Sequence, residues 1–380
     1  MALSRSPAPV RKLRIIHILR ASVGGLFRHV IDLAREQAAR GHEVGICADS
    51  TTGDERAART LRELSPKLLL GLTRVPMSRQ IGPSDFATVR HVGLRARLCD
   101  ADILHGHGAK GGAYARLARC NAARVYTPHG GSLHYSPGTP IGIFYLGLER
   151  LLMRRTGVFL FESAYGLDVF KAKIGTPGGI VRVVHNGVRK EELEPVRPDS
   201  DAADFVYIGE MRALKGVDLL LDAIALLRTK GWNGSAFLYG DGPDRAALEA
   251  RVGALGLASH VHLYPPRPAR EAFRTGRVLV VPSRAESLPY IVLEATAASV
   301  PLVATNVGGI SEIFGPDAGA LVPPGDAAAL AAAMLAAFAG ETAERTVRLH
   351  ARVAAEFAVV TMTDQVLDAY HSATTTKAEA

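Results

Sequence analysis

The sequence predicts an α/β protein built from two parallel sheets, each wound with helices, and three observations carry that reading. Short apolar runs alternate with helical patterns through both halves of the chain, the pattern of parallel strands joined by crossover helices. The 380 residues give room for two domains of ordinary size, and the polar segment Glu191 to Asp201, with Pro195 and Pro198, reads as a linker between them. The halves also differ in charge. Residues 1–190 hold 29 Lys and Arg against 13 Asp and Glu, a net +16, whereas residues 191–380 hold 16 against 24, a net −8.

In the first half strands are expected at Arg14–Leu19, Glu43–Ala48, Ile103–His105, Arg124–Tyr126, Val158–Phe161 and Val181–Val184. An amphipathic helix from about Leu26 to Arg40, closed by Gly41, separates the first two. The second half repeats the scheme with strands at Asp204–Ile208, Ser235–Tyr239, Val261–Leu263, Val278–Val281 and Pro301–Ala304. Its helices are expected near Val217–Lys230, Asp244–Leu255, Ala269–Thr275 and Ile291–Ala298, followed by an alanine-rich helix at Asp326–Phe338 and a last apolar one near 357–370.

Composition narrows the class. Apolar residues make up 48% of the chain and charged residues 22%, as in a soluble globular protein. The basic start leads into Ile15 to Leu19, a run interrupted by His17 and too short for a signal core or a membrane span. Cys47, Cys99 and Cys120 are widely spaced and odd in number, which fits neither a disulfide framework nor a zinc pattern and points to a reducing cytoplasm. The basic first half calls for an anionic partner. No aromatic–basic stripe, zinc finger or recognition helix supports nucleic acid, whereas anionic lipid headgroups or a lipid-linked phosphate fit. Ile141 to Arg155 mixes bulky apolar residues with a basic end, which suits a membrane interface or a core-packing helix.

The most informative stretch is Glu286-Ser-Leu-Pro-Tyr-Ile-Val-Leu-Glu294, a polar loop after a strand that runs into a helix. Its two carboxylates would face one way if that helix starts early, and two acceptor-only groups suit a ligand rich in hydroxyls, such as a sugar and a ribose; taken alone, the stretch reads equally as a loop Glu and a solvated or first-turn Glu. Gly209 to Gly216 follows the first strand of the second half and carries Arg212 and Lys215 at a strand-to-helix turn, which reads either as a fork and a point charge suited to a diphosphate or as an ordinary basic loop. Gly24-Gly25 opens the first helix and reads either as a phosphate-approaching backbone or as a tight turn; it is not a dinucleotide fingerprint. His105, His107 and His129 follow strands, with glycine after each. No carboxylate or cysteine accompanies them at ligand spacing, so no metal is expected, and one such His bonding a sugar hydroxyl is the better reading, with structural loop histidines the alternative for His105 and His107. Asn186-Gly187 marks a turn in which Asn186 caps or touches ligand, Gly240-Asp241-Gly242-Pro243 reads as turn and cap, and Gly308-Gly309 as ligand-facing backbone or structure. No Ser–His–Asp grouping or Walker loop is present.

In this order the motifs resemble the retaining family-4 glycosyltransferases of the GT-B fold, over nearly the whole chain: Gly24-Gly25, Thr127-Pro-His129-Gly130, Asn186-Gly187-Val188, Arg212 and Lys215, Gly240-Asp241-Gly242-Pro243, then Glu286 and Glu294. The resemblance implies two Rossmann-like domains facing across a cleft: an acceptor domain over residues 1–190, a nucleotide-sugar domain over 191–356, and a helix and tail over 357–380 that return to the first. It implies that Glu294 binds the ribose, Glu286 with Ser287 and Leu288 the transferred sugar, Arg212 and Lys215 the diphosphate, Asn186 the donor, Gly24-Gly25 its phosphate, and that His129 lies near the sugar. The family commonly places an arginine directly after the glycine matching Gly209, where this chain has Glu210, so Arg212 must reach from two positions further on.

The resemblance further implies transfer with retention from a UDP- or GDP-linked sugar to a glycan or polyprenyl-diphosphate-linked acceptor. The setting would be bacterial cell-surface polysaccharide synthesis, with no cofactor, no metal and no protein base, and an enzyme that is cytoplasmic or peripheral on the plasma membrane. A sugar-nucleotide epimerase or hydrolase of the same fold, or a binding scaffold without turnover, are the alternatives. The first would need further acid and base carboxylates; the second leaves intact Lys215, Glu286 and Glu294 unexplained.

Overall fold

A computed structural model describes residues 11–378. They form two compact units. One comprises the chain up to Phe161, Phe170–Arg182 and the residues from Thr363 on; the other comprises Glu162–Val169 and Val183–Met362. The segment Glu191 to Asp201 thus lies inside the second unit and is tied to it. Arg270 donates to the carbonyls of Glu192 and Glu194, and Val196 N donates to Ala298 O.

The first unit is organised on a seven-stranded sheet ordered β3-β2-β1-β4-β5-β6-β7. Its strands are β1 (Arg14–Leu19), β2 (Glu43–Asp49), β3 (Gly71–Val75), β4 (Ile103–His107), β5 (Ala123–Thr127), β6 (Val158–Phe161) and β7 (Ile180–Val183). β1 runs parallel to both β2 and β4. Continuous apolar runs suit such central strands, because helices cover both faces. Five residues of β1 are buried, as are all five of β4. β4 is two residues longer than the sequence suggested. It takes in both His105 and His107, so neither is a loop residue.

The second unit has five parallel strands in the order β10-β9-β8-β11-β12. They are β8 (Ala203–Ile208), β9 (Ala236–Tyr239), β10 (Val261–Tyr264), β11 (Gly276–Val281) and β12 (Leu302–Ala304). The chain leaves β8 toward β9 on one side and returns to β11 on the other. The carboxyl ends of β8 and β11 therefore flank the topological switch point, where open α/β sheets bind ligands. The first sheet has its own switch between β1 and β4.

The expected helices form, at Gly24–Ala39, Val217–Thr229, Arg245–Ala254, Ala269–Phe273, Tyr290–Ala297 and Ala327–Phe338. The structure adds β3 and helices at Glu55–Leu64, Ser84–Leu98, Gly108–Leu117, Ala164–Lys173 and Ala343–Glu356. Among the described residues no single helix is long and apolar enough to cross a membrane.

Candidate active site

The loops after β8 and β11 bring Lys215 and Glu286 together, although 71 positions separate them. Lys215 ends a short 3-10 turn, Ala213–Lys215. Gly216 follows in the left-handed region at φ 66°, and a Cβ there would collide with the Pro282 carbonyl, so only glycine lets this loop press against the end of β11. Lys215 Nζ donates to both carboxylate oxygens of Glu286 at 2.8 and 2.9 Å, and Ser283 Oγ donates to Oε1 at 2.7 Å. The Glu286 side chain is 8% exposed and that of Lys215 28%, so the pair sits at the mouth of the switch point rather than on open surface. Arg284 fastens the two loops. Its guanidinium reaches both oxygens of Asp218 at 2.7 Å and the Ala213 carbonyl at 2.8 Å. Those bonds from Arg284 hold the Asp218 carboxyl below its ordinary range.

The backbone carrying Glu286, Ser287 and Leu288 is clamped from three sides. Asn186, 1% exposed, donates its amide to Leu288 O at 2.9 Å. Gly309 N donates to Ser287 O at 2.6 Å, and Gly308, at φ 61°, lies where a Cβ would strike the Glu286 carbonyl. Ser287 Oγ donates to Glu162 at 3.3 Å, and Leu288 is buried. Asn186 and Gly308-Gly309 thus support the loop. Glu312 is likewise structural: its carboxylate accepts the backbone N–H groups of Ala164 and Tyr165 and the ring of His185. Burial opposes ionisation of Glu312, but these bonds win and keep its pKa below normal.

The helix bearing Glu294 begins at Tyr290, directly after Pro289. Glu286 is therefore outside it, and Glu294 is half-buried one turn in. Arg212 lies beyond the end of β8, which stops at Ile208, and pairs with Glu210 at 3.3 Å on the exposed surface. The acid at the position where arginine is common thus engages the nearest arginine.

In the first unit, Gly24 opens the helix Gly24–Ala39 at φ 67°, with open space where a Cβ would stand. His129 follows β5 with φ 52°, a left-handed conformation uncommon for a residue with a side chain. Parallel pairing sets His17 of β1 opposite His105 of β4, and His107 opposite Thr127 of β5. The result is a packed group of rings from His17, His29, His105, His107 and His129. Burial lowers the His17 pKa to about 4 and takes His105 and His107 well below the ordinary histidine value, so these three are neutral. Two sets of three, His17, His105, His107 and His29, His107, His129, bring ring nitrogens within 4.8 Å, a gathering that the sequence spacing did not show. Nearby, Arg116 and Glu149 form a buried ion pair at 2.8 Å. Glu149 also accepts from Tyr126 and from Ser132, which anchors the turn after His129.

Two units, each a parallel sheet wound with helices, the second with paired loops at its switch point, have the GT-B architecture of the solved glycosyltransferases to which this chain is similar. The chain belongs to the group 1, or family 4, glycosyltransferases: the family described as Glycosyltransferase Family 4 matches residues 23–192, and that described as Glycosyl transferases group 1 matches residues 202–339. It is 29% identical over 314 residues to a putative glycosyltransferase, EpsD, of Bacillus subtilis, covering 77% of this chain and 78% of that one. It is 26% identical over 339 residues to a D-inositol 3-phosphate glycosyltransferase of Jonesia denitrificans, covering 79% of each. Among solved structures, sucrose-phosphate synthase from Thermosynechococcus elongatus superposes with a TM-score of 0.79 at 19% identity, over 95% of this chain and 99% of that one. Anabaena HepE in complex with UDP gives 0.74 at 18%, over 95% and 100%.

Proposed function

We propose that the protein transfers a sugar, with retention and without a metal, from a UDP- or GDP-linked donor to a glycan or polyprenyl-diphosphate-linked acceptor in cell-surface polysaccharide synthesis. The observation that carries this reading is the Lys215–Glu286 pair at the switch point. An ammonium has three donors and a carboxylate about four acceptor sites, so each group keeps capacity for a ligand while the other holds it in place. Lys215 would take up the charge that develops on the departing diphosphate, the kind of fixed electrostatic stabilisation that carries most weight in transfer reactions. Glu286 would accept hydroxyls of the transferred sugar, and Glu294 those of the ribose. Arg212 would reach the diphosphate by exchanging Glu210 for phosphate oxygens. We assign Gly24-Gly25 to the donor phosphate and His129 to the sugar, as the family resemblance implies. Asn186 and Leu288 act by holding the Glu286 loop. One relative and one structural neighbour named for polysaccharide work support the setting, a putative teichuronic acid biosynthesis glycosyltransferase and a lipopolysaccharide outer core galactosyltransferase. The test is turnover of a panel of UDP- and GDP-sugars in the presence of bacterial membrane extract, with the anomeric configuration of the product read by NMR. Retained configuration in an extended glycan or lipid product is expected; nucleotide release with free sugar alone would contradict transfer.

A second part of the proposal concerns the acceptor side. The helix Pro140–Met153 buries Leu146, Glu149 and Leu152 but leaves Ile141, Ile143, Phe144 and Leu151 between 55% and 63% exposed, with exposed Arg154 and Arg155 just beyond. An apolar face flanked by cations on a basic unit suits an anionic lipid surface. Binding to vesicles rich in anionic lipid is expected to fall steeply with rising salt and to be lost in Phe144→Glu. Binding indifferent to salt and to that substitution would remove the idea.

A further inference from the structure

We propose that a cavity at the amino ends of β5, β6 and β7 is an anion site that takes the phosphate of a lipid headgroup. The lipid as the source of that phosphate rests on the membrane-facing helix proposed above; the anion site itself does not.

The cavity lies wholly within the first unit, at the edge of the sheet opposite to the strand ends that lead to His107 and His129. Parallel pairing sets the starts of β5 and β6 side by side. Gly157 N donates to the Arg124 carbonyl and Ile180 N to the Gly157 carbonyl, so the three strand starts make one floor. Cys120 and Asn121, from the turn before β5, and Arg155, just past the helix Pro140–Met153, form the walls. The volume is about 560 Å³, within the span of ligand pockets and more than a bare ion fills.

Charge decides what such a space takes. Two of the ten lining residues are arginines and none is acidic. Arg124 donates through Nη2 to the carbonyls of Ala118 and Cys120, at 2.9 and 3.4 Å, and its Nε is buried without a partner. Arg155 is exposed, and its side chain has no hydrogen bond or ion pair among the described residues. The carboxylate at the start of the neighbouring strand is committed elsewhere: Asp102 accepts from Arg11 at 2.6 Å and from the N–H of Arg14 at 2.9 Å. Two guanidinium groups without an acid therefore border one space, and their planar forks of N–H donors match phosphate oxygens.

The lipid follows from the helix beside the cavity. Ile143, Gly147 and Leu151 are exposed and spaced by four, so they share one helix face. Arg155 continues that spacing just past the helix end. A helix lying in a membrane interface with such a stripe toward the acyl chains sets its flanking cations among the headgroup phosphates.

Cys120 provides the readout, because it lines the cavity and is half-buried, whereas Cys47 and Cys99 are buried. Its alkylation by iodoacetamide is followed on the full chain by mass spectrometry at constant ionic strength. The additions are inorganic phosphate, phosphatidylglycerol vesicles or phosphatidylcholine vesicles, with vesicle binding measured by co-sedimentation. A group occupying the cavity slows the reaction by the factor 1 + [L]/Kd, about tenfold at ten times Kd. Inorganic phosphate and phosphatidylglycerol vesicles are both expected to protect Cys120, and phosphatidylcholine vesicles to leave it unprotected. Arg155→Glu, at an exposed position without partners, should keep the fold and weaken both protections about tenfold or more. Phe144→Glu should abolish protection by vesicles and spare that by inorganic phosphate. Absence of protection by either, or protection unchanged in Arg155→Glu, overturns the site. Protection by inorganic phosphate alone while phosphatidylglycerol vesicles bind overturns the lipid as its source. Vesicles that fail to bind, with inorganic phosphate still protecting, would overturn the membrane-facing helix and the lipid together and leave the anion site standing.

Discussion

Lys215→Ala is expected to lower donor turnover by about 10²–10³-fold, the range seen when one preorganised electrostatic stabiliser is lost. Two losses combine. The departing diphosphate loses the cation proposed to absorb its charge, and the Glu286 side chain, 8% exposed, is left without its ion partner. Glu286→Ala removes the carboxylate proposed to bind the sugar and frees the ammonium, so its cost should be of similar size. Because the two groups touch, the double variant should fall little below either single one; residues in one ion pair are not additive. Arg212→Ala should do less, because its guanidinium is 40% exposed and pairs with Glu210. Turnover and donor affinity measured across the four variants check the ordering. Near-normal turnover in Lys215→Ala, or full additivity in the double variant, would remove the pair from the site.

Acidification should unfold the protein well above the range where carboxylates titrate. His17, His105 and His107 are held neutral in the folded state by burial, whereas in the unfolded chain each would titrate near the ordinary value of about 6.5. Below that pH the unfolded chain takes up three protons that the folded one does not. Stability is therefore complete above about pH 6.5 and is lost as the pH falls toward the depressed folded values. Three such groups give a slope of up to about 4 kcal/mol per pH unit, and a loss of about 6 kcal/mol by pH 5, against a typical total of roughly 5–15 kcal/mol. Carboxylates with depressed values, such as Asp49, Asp85 and Asp317, destabilise only on protonation at lower pH, so the two effects separate on the pH axis. Urea unfolding between pH 5 and 8 measures this directly. A flat profile between pH 5 and 7 would mean that the three rings can take up protons without cost.

Much of the architecture was legible because buried parallel strands read as short apolar runs, as in Ile15–Leu19, interrupted only by His17, and Val278–Val281. The edge strand Gly71–Val75, half-exposed and carrying Arg74, has no such run. The helix Gly108–Leu117 was hidden for a different reason. Its Gly111 and Gly112 lie so close to the Ile18 carbonyl and the Tyr126 ring that a Cβ would collide with them, so a sequence that reads as breaker-rich is a helix laid directly on the sheet. At the site, Lys215 and Glu286 were legible as types in loops after strands. Their contact was not, because it depends on β8 and β11 being neighbours, which is a property of strand order. The histidine group was hidden likewise. His17 and His105 meet through the register of β1 with β4, and Gln37 reaches His17 from the helix between β1 and β2. The departure at Glu210 was visible in the sequence, but its ion pair with Arg212 needed coordinates.

The central claim is that the loops after β8 and β11 grip a nucleoside diphosphate sugar. A crystal structure with a non-transferable UDP- or GDP-sugar tests it most directly. The account predicts diphosphate oxygens within hydrogen-bonding distance of Lys215 Nζ, sugar hydroxyls on Glu286 and ribose hydroxyls on Glu294; a donor bound away from the Lys215–Glu286 pair would contradict it.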